Sequence, residues 1–118
     1  MQTVIITLGF GPPQDAARLA EYNAQRNRNW EAYFVRDVRR AIEYTGGEVV
    51  AQINGVSHAE GWGLEHGAWI SAVYEDRLVA ETYLNGLEES LGIYAKRWAQ
   101  DAIGVIRKGE YREIPAED

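Results

Sequence analysis

The order of apolar patterns along this chain predicts an α+β domain: one antiparallel sheet roofed by helices. Three observations carry that expectation. Thr3 to Phe10 and both arms of the stretch Gly47 to Glu75 alternate with the two-residue period of strands. Two segments carry apolar stripes at helical spacing, Trp30-Phe34-Val38-Ala41-Ile42 and Leu84-Leu87-Leu91-Tyr94-Ala95-Trp98. A last short apolar run, Asp101 to Arg107, follows the second stripe.

In Thr3 to Phe10, Val4, Ile6 and Leu8 form one row and Thr3, Ile5 and Thr7 the other. Both rows are apolar or β-branched, as in an interior strand. Gly9, Gly11, Pro12 and Pro13 end it, and the run lacks the Lys-Ser/Thr ending and the glycine spacing of a phosphate loop. Asp15 is placed to cap a helix that runs to Tyr44 or Thr45 and stops at Gly46-Gly47. Its middle, Asn23 to Asn29, is nearly all polar, which marks a kink, an exposed turn or a wall of a polar cavity.

Gly47 to Glu75 reads as one hairpin. Pairing Ile53 with Ile70, Ala51 with Ala72 and Val49 with Tyr74 gathers the strong apolar residues on one face. It also closes on a two-residue turn, Gly61-Trp62. A looser loop over Gly55 to Gly63 is the alternative. In the first register Gln52, Asn54, His58 and Glu60 share the second face with Glu65, Trp69 and Ser71.

The second helix is expected from about Arg77 to Ala99, with Glu75 or Asp76 as cap and with Gly86 and Gly92 inside it, either for close packing or as a break. In the last strand Ile103 and Val105 face one side and Ile106 the other. Lys108-Gly109 reads as a turn, Glu110 to Ile114 as a short edge strand, and residues 115–118 as an acidic tail of a single domain, 1–118. The order β-α-β-β-α-β with right-handed crossovers gives a ferredoxin-like fold: a four-stranded antiparallel sheet, order 4-1-3-2, with two helices on one face. The helices would cover Val4, Ile6, Leu8, Ile53 and Ile70, leaving Ile5, Val50, Trp69, Val73 and Ile106 on the other side. So apolar a face predicts a homodimer packed sheet to sheet. The organisation is similar to that of dimeric α+β barrel proteins, a likeness of architecture that carries no function with it.

Composition narrows the function classes. A chain of 118 residues, 46% hydrophobic and 25% charged, suits one globular core. It has no cysteine, hence no disulfide or thiolate chemistry, which fits a cytoplasmic protein. No apolar run reaches the roughly 20 residues of a membrane helix, and the N-terminal run lacks a basic leader or cleavage site. The net charge of −6 argues against nucleic acid as a partner.

The chemistry-bearing residues gather near the hairpin tip. His58, Glu60, Glu65 and His66 are of the types that bind metals, but their spacing matches no metal motif, so no metal or cofactor is expected. His58, Glu65 and His66 are the candidates for acid–base catalysis. Arg26, Asn54, His58, Glu60, Trp62, Glu65 and Trp69 are the candidates for binding: the tryptophans for stacking, Arg26 and Arg28 for pairing an anion. Arg36, Arg39 and Arg40 read as a solvated helix face with partners such as Glu43. The reading that follows is a small non-enzymatic binding module, a homodimer, taking an anionic or nucleotide-like small ligand or a protein partner. Two alternatives stand beside it: a small cofactor-independent enzyme of the oxygenase or isomerase kind, and a phage or accessory assembly component.

Overall fold

A computed structural model describes residues 1–26, 29–60, 63–75 and 78–117, with the backbone alone for 56–60, 63–65 and 78–80. The elements are β1 (Gln2–Gly9), α1 (Ala16–Gln25), α2 (Trp30–Tyr44), β2 (Glu48–Glu60), β3 (Gly63–Tyr74), α3 (Leu78–Arg97), β4 (Ala102–Arg107) and β5 (Glu110–Pro115). The strands form one antiparallel sheet in the order β2-β3-β1-β4-β5.

Taken from the other edge, the first four strands have the expected order 4-1-3-2. The sheet nevertheless has five strands, not four. The reason lies at Lys108 and Gly109, which both take positive φ, 53° and 76°. Two such residues in succession make a turn whose twist matches a hairpin. The chain therefore folds back, and β5 pairs along all of β4, from Arg107↔Glu110 to Ala102↔Pro115. Pro115 takes the last rung of this edge strand, where a missing N–H disrupts little. Beyond it Ala116 is buried, and the Glu117 N–H donates to the Gly92 carbonyl at 3.0 Å.

The single long first helix is also corrected. Asp15 caps α1 as expected, its Oδ1 accepting the Arg18 N–H at 3.0 Å. But α1 ends at Gln25, and α2 starts at Trp30 after Asn29 at φ 73°. The polar stretch between them has nothing to bury, so burial does not hold the helix straight there. The break lets Tyr22 and Trp30 meet edge to face, 5.6 Å between ring centroids, around Phe10 at the end of β1. The Tyr22 hydroxyl donates to the Phe10 carbonyl at 3.3 Å, and Phe34 and Trp98 extend the aromatic cluster toward α3.

The third correction concerns the hairpin register. At the tip the expected pairing holds: Glu60↔Gly63, His58↔Glu65, Ser57↔His66. The register then shifts between Asn54 and Val56 and again between Val49 and Ala51. Gly55, at φ 70°, is the extra residue of the first bulge, a position glycine fills without steric cost. After the first shift Ile53 faces Trp69 rather than Ile70 and Ala51 faces Ser71 rather than Ala72; after the second, Val49 faces Ala72 rather than Tyr74. Ile53 thus leaves the core and is 57% exposed. Gln52, opposite Ile70, moves to the helix side.

The core lies between the sheet and α2 and α3. Val4, Ile6, Leu8, Ala68, Ile70, Ala72, Ile103 and Val105 supply the sheet side, and Phe34, Val38, Ile42, Leu84, Leu87 and Leu91 the helix side. Asp37 pins the two helices together. Its buried carboxylate accepts the Trp98 indole N–H at 2.9 Å and pairs with Arg97 at 3.2 Å. A charged clasp joins α3 to the β4–β5 hairpin: Glu81 pairs with Arg107 and with Lys108, and Glu88 with Arg112. The hydrogen bond from Lys108, then that from Gln2, holds the Glu81 carboxyl below its ordinary value. α3 runs unbroken through Gly86 and Gly92. The Gly92 site is tight, since a side-chain carbon there would lie 3.2 Å from the Pro115 carbonyl.

Two pairs of substitutions test this packing by urea unfolding. At Gly47 an added carbon would sit 2.5 Å from the Tyr74 ring and 2.8 Å from Ile42, whereas at Gly86 its nearest neighbour is 3.9 Å away. Gly47→Ala is expected to destabilise by about 1–3 kcal/mol and Gly86→Ala to stabilise by about 0.5–1 kcal/mol. Equal effects at the two sites would contradict the packing. Trp98→Phe strips the buried Asp37 of a donor and is expected to cost about 1–3 kcal/mol. Among the described residues Trp69 Nε1 is buried without a hydrogen-bond partner, so Trp69→Phe is expected to cost less than about 1 kcal/mol.

Candidate functional site

Two regions gather polar chemistry. The first is the hairpin tip. The ladder sets His58 opposite Glu65 and Ser57 opposite His66, on successive rungs, so the three acid–base candidates come from neighbouring positions on two strands. His66 is exposed, and its carbonyl accepts the Phe10 N–H at 2.8 Å, which ties the base of the tip to the end of β1. The side chains of His58, Glu60 and Glu65, and all of Trp62, lie outside the described residues. Among the described residues no group of three His, Cys, Asp or Glu could hold a metal ion.

The second region is a groove of about 370 Å³ along one stripe of α2, lined by Ala32, Val35, Arg36, Arg39, Arg40 and Glu43. The helical spacing of three and four residues puts these on one face. The bulges in β2 bring Gln52 to the same side of the sheet. There Arg39 Nη1 donates to Gln52 Oε1 at 2.6 Å, and Gln52 Nε2 donates to Asn54 Oδ1 at 2.8 Å. Arg36 lies over the Tyr33 ring, 4.8 Å from its centroid, and reaches the buried Asp37 at 3.4 Å. Asn54 is thus the binding candidate that the hydrogen-bond chain links to the groove arginines.

The remaining candidates scatter. Arg26 is the residue that follows α1 and stacks over Tyr22, 5.9 Å from the ring centroid, while Arg28 lies outside the described residues. Trp69 stands half-buried on the helix-free side of the sheet, between Thr7 of β1 and Ile53 of β2. On that side Ile53 and Tyr111 are more than half exposed, and the Tyr111 ring covers Gly104, where an added carbon would lie 2.8 Å from it. Arg36 and Arg40 are exposed, as expected of a solvated helix face, while Arg39 is half-buried against Gln52, which the Gly55 bulge turns toward it.

No known family model matches this chain, and no curated protein matches it. Among solved structures, a phage SAM lyase in its apo state is similar over 99% of this chain and 90% of its own, with a TM-score of 0.57 and 12% sequence identity. At that identity the likeness is one of fold.

Proposed function

We propose that this chain is a small lyase acting on SAM, with its acid–base residues at the hairpin tip. The observation that carries the reading is the fold shared along nearly the whole of both chains with a phage SAM lyase. The tip carries residue types that elimination chemistry can use. In an elimination on SAM a base takes a proton from the carbon next to the one bearing the sulfonium, the C–H pair becomes a C=C bond, and the C–S bond breaks as the neutral thioether leaves; carboxylate and imidazole are the usual bases. Glu65, with His58 on the facing rung, is our choice for that base, and His66 for a proton donor or a substrate contact. The phage source of the similar structure agrees with a phage setting for this chain as well.

A second reading moves the site to α2 and drops the chemistry: a binding module for an anionic small ligand, favoured by the arginine groove. One experiment separates the two. Purified protein is incubated with SAM, and the nucleoside-containing species are followed by chromatography, with equilibrium dialysis in parallel. Consumption of SAM, falling by about 100-fold or more in Glu65→Gln, is the expected result. SAM left intact, whether bound or not, overturns the lyase reading.

We further place a second copy of the chain on the helix-free side of the sheet. Ile5, Ile53, Trp69, Val73, Ile106 and Tyr111 form an apolar surface there of the kind that marks an interaction site. Sedimentation equilibrium is expected to show self-association that Ile53→Glu weakens. A wild-type protein that sediments as a single copy at all concentrations would contradict it.

A further inference from the structure

The groove along α2 has a chemistry of its own, separate from the hairpin tip. Arg36, Arg39 and Arg40 lie along it with one carboxylate, Glu43, so the groove carries a local surplus of two positive charges on a chain of net −6. Such arginines could be an ordinary solvated stripe, but two of the three heads are held. Arg39 is tied to Gln52 at 2.6 Å, and Gln52 to Asn54 at 2.8 Å. Arg36 is stacked on Tyr33 and drawn toward Asp37, a carboxylate that Arg97 and Trp98 already fix in place. Arg40 is exposed and forms no ion pair among the described residues. Heads held this way lose less freedom when they meet a ligand, which is the usual construction of an anion site.

From this we infer that the groove is a binding site for a small phosphorylated ligand of the diphosphate class. Donor number decides against a simple carboxylate, because one guanidinium in fork geometry satisfies both its oxygens. Three guanidiniums offer about fifteen N–H donors, which suits neighbouring phosphoryl groups with several acceptor oxygens each. Arg36 and Arg40 stand one helical turn apart, about 5–6 Å between their Cβ atoms, a separation from which both can reach one diphosphate. The negative charge of a diphosphate meets the groove's net surplus of two, three arginines less Glu43. A long nucleic acid would meet the repulsion of the whole acidic chain, while a small ligand meets mainly the local field. Ala32 and Val35 supply an apolar floor beside the charges, and the volume, about 370 Å³, is within the range of small-ligand sites.

The inference is tested by titrating the ¹⁵N-labelled full chain with inorganic pyrophosphate, ADP and citrate at two salt concentrations. Saturable shifts confined to α2 and β2 are expected with pyrophosphate and ADP, weakening as salt rises. The double variant Arg36→Gln/Arg40→Gln alters two exposed side chains, and a circular dichroism melt verifies that it folds. Its affinity for pyrophosphate is expected to fall about 100-fold, roughly tenfold for each guanidinium removed from the phosphoryl oxygens. If the double variant melts early, Arg40→Gln alone is read for its tenfold weakening. Citrate binding as tightly as pyrophosphate would overturn the phosphoryl assignment. The absence of saturable shifts, or binding indifferent to the arginines, would overturn the site.

Discussion

The arrangement rests on a backbone constraint in β2: two extra residues inserted into one arm of a hairpin. A strand has a side-chain period of two, so a single inserted residue exchanges the faces beyond it. The bulge at Gly55 does this to Gln52 and Ile53. It sends an amide under α2, where Arg39 meets it, and an isoleucine out to the helix-free side, where Trp69 stands. Without it the core would gain an apolar side chain and Arg39 would lose its amide partner. The exchange gives up burial of a large apolar residue, of order 2 kcal/mol, in a chain whose sequence otherwise keeps its strong apolar residues inside. Sites of this kind, where local rules are broken, are where function is expected.

Much of the fold could be read in advance because it depends on patterns that tolerate small errors. β1 buries Val4, Ile6 and Leu8 completely whichever way its neighbours slide. The α3 stripe buries Leu84, Leu87, Leu91 and Ala95 without reference to helix ends. Asp15 caps its helix by a hydrogen bond to a residue three positions on. What could not be read depends on a single torsion or on distant partners. Register by apolar matching favoured Ile53 with Ile70 because matching has no term for a glycine that turns left-handed between them. The break between α1 and α2 follows from Tyr22, Trp30 and Phe10 finding one another, a tertiary event that a polar heptapeptide only hints at. The clasp of Glu81 and Glu88 on Arg107, Lys108 and Arg112 joins positions some 24 to 27 residues apart, and no local pattern announces it.

The charges divide the labour. On the α3 side carboxylates and basic groups neutralise one another across the β4–β5 hairpin. On the α2 side the buried carboxylate of Asp37 meets Arg97, the Trp98 indole and, at 3.4 Å, Arg36, which leaves Arg40 without an ion pair among the described residues. An acidic protein thus presents a small basic site without becoming a binder of polyanions. The hairpin tip, with two rungs that pair His58 with Glu65 and Ser57 with His66, lies at the far end of the same strands. Because both arms of the hairpin run from the tip toward the groove, the bulge that builds the one also sets the orientation of the other.

The pairing of β2 with β3 in solution is therefore the measurement on which the rest turns. Nuclear Overhauser contacts between backbone protons report which residues face each other across a ladder. Ile53 is expected opposite Trp69 and Gln52 opposite Ile70, with His58 still opposite Glu65 at the tip. Contacts placing Ile53 opposite Ile70 and Ala51 opposite Ala72, with no shift at Gly55, would contradict the bulged register and turn Gln52 away from the arginines.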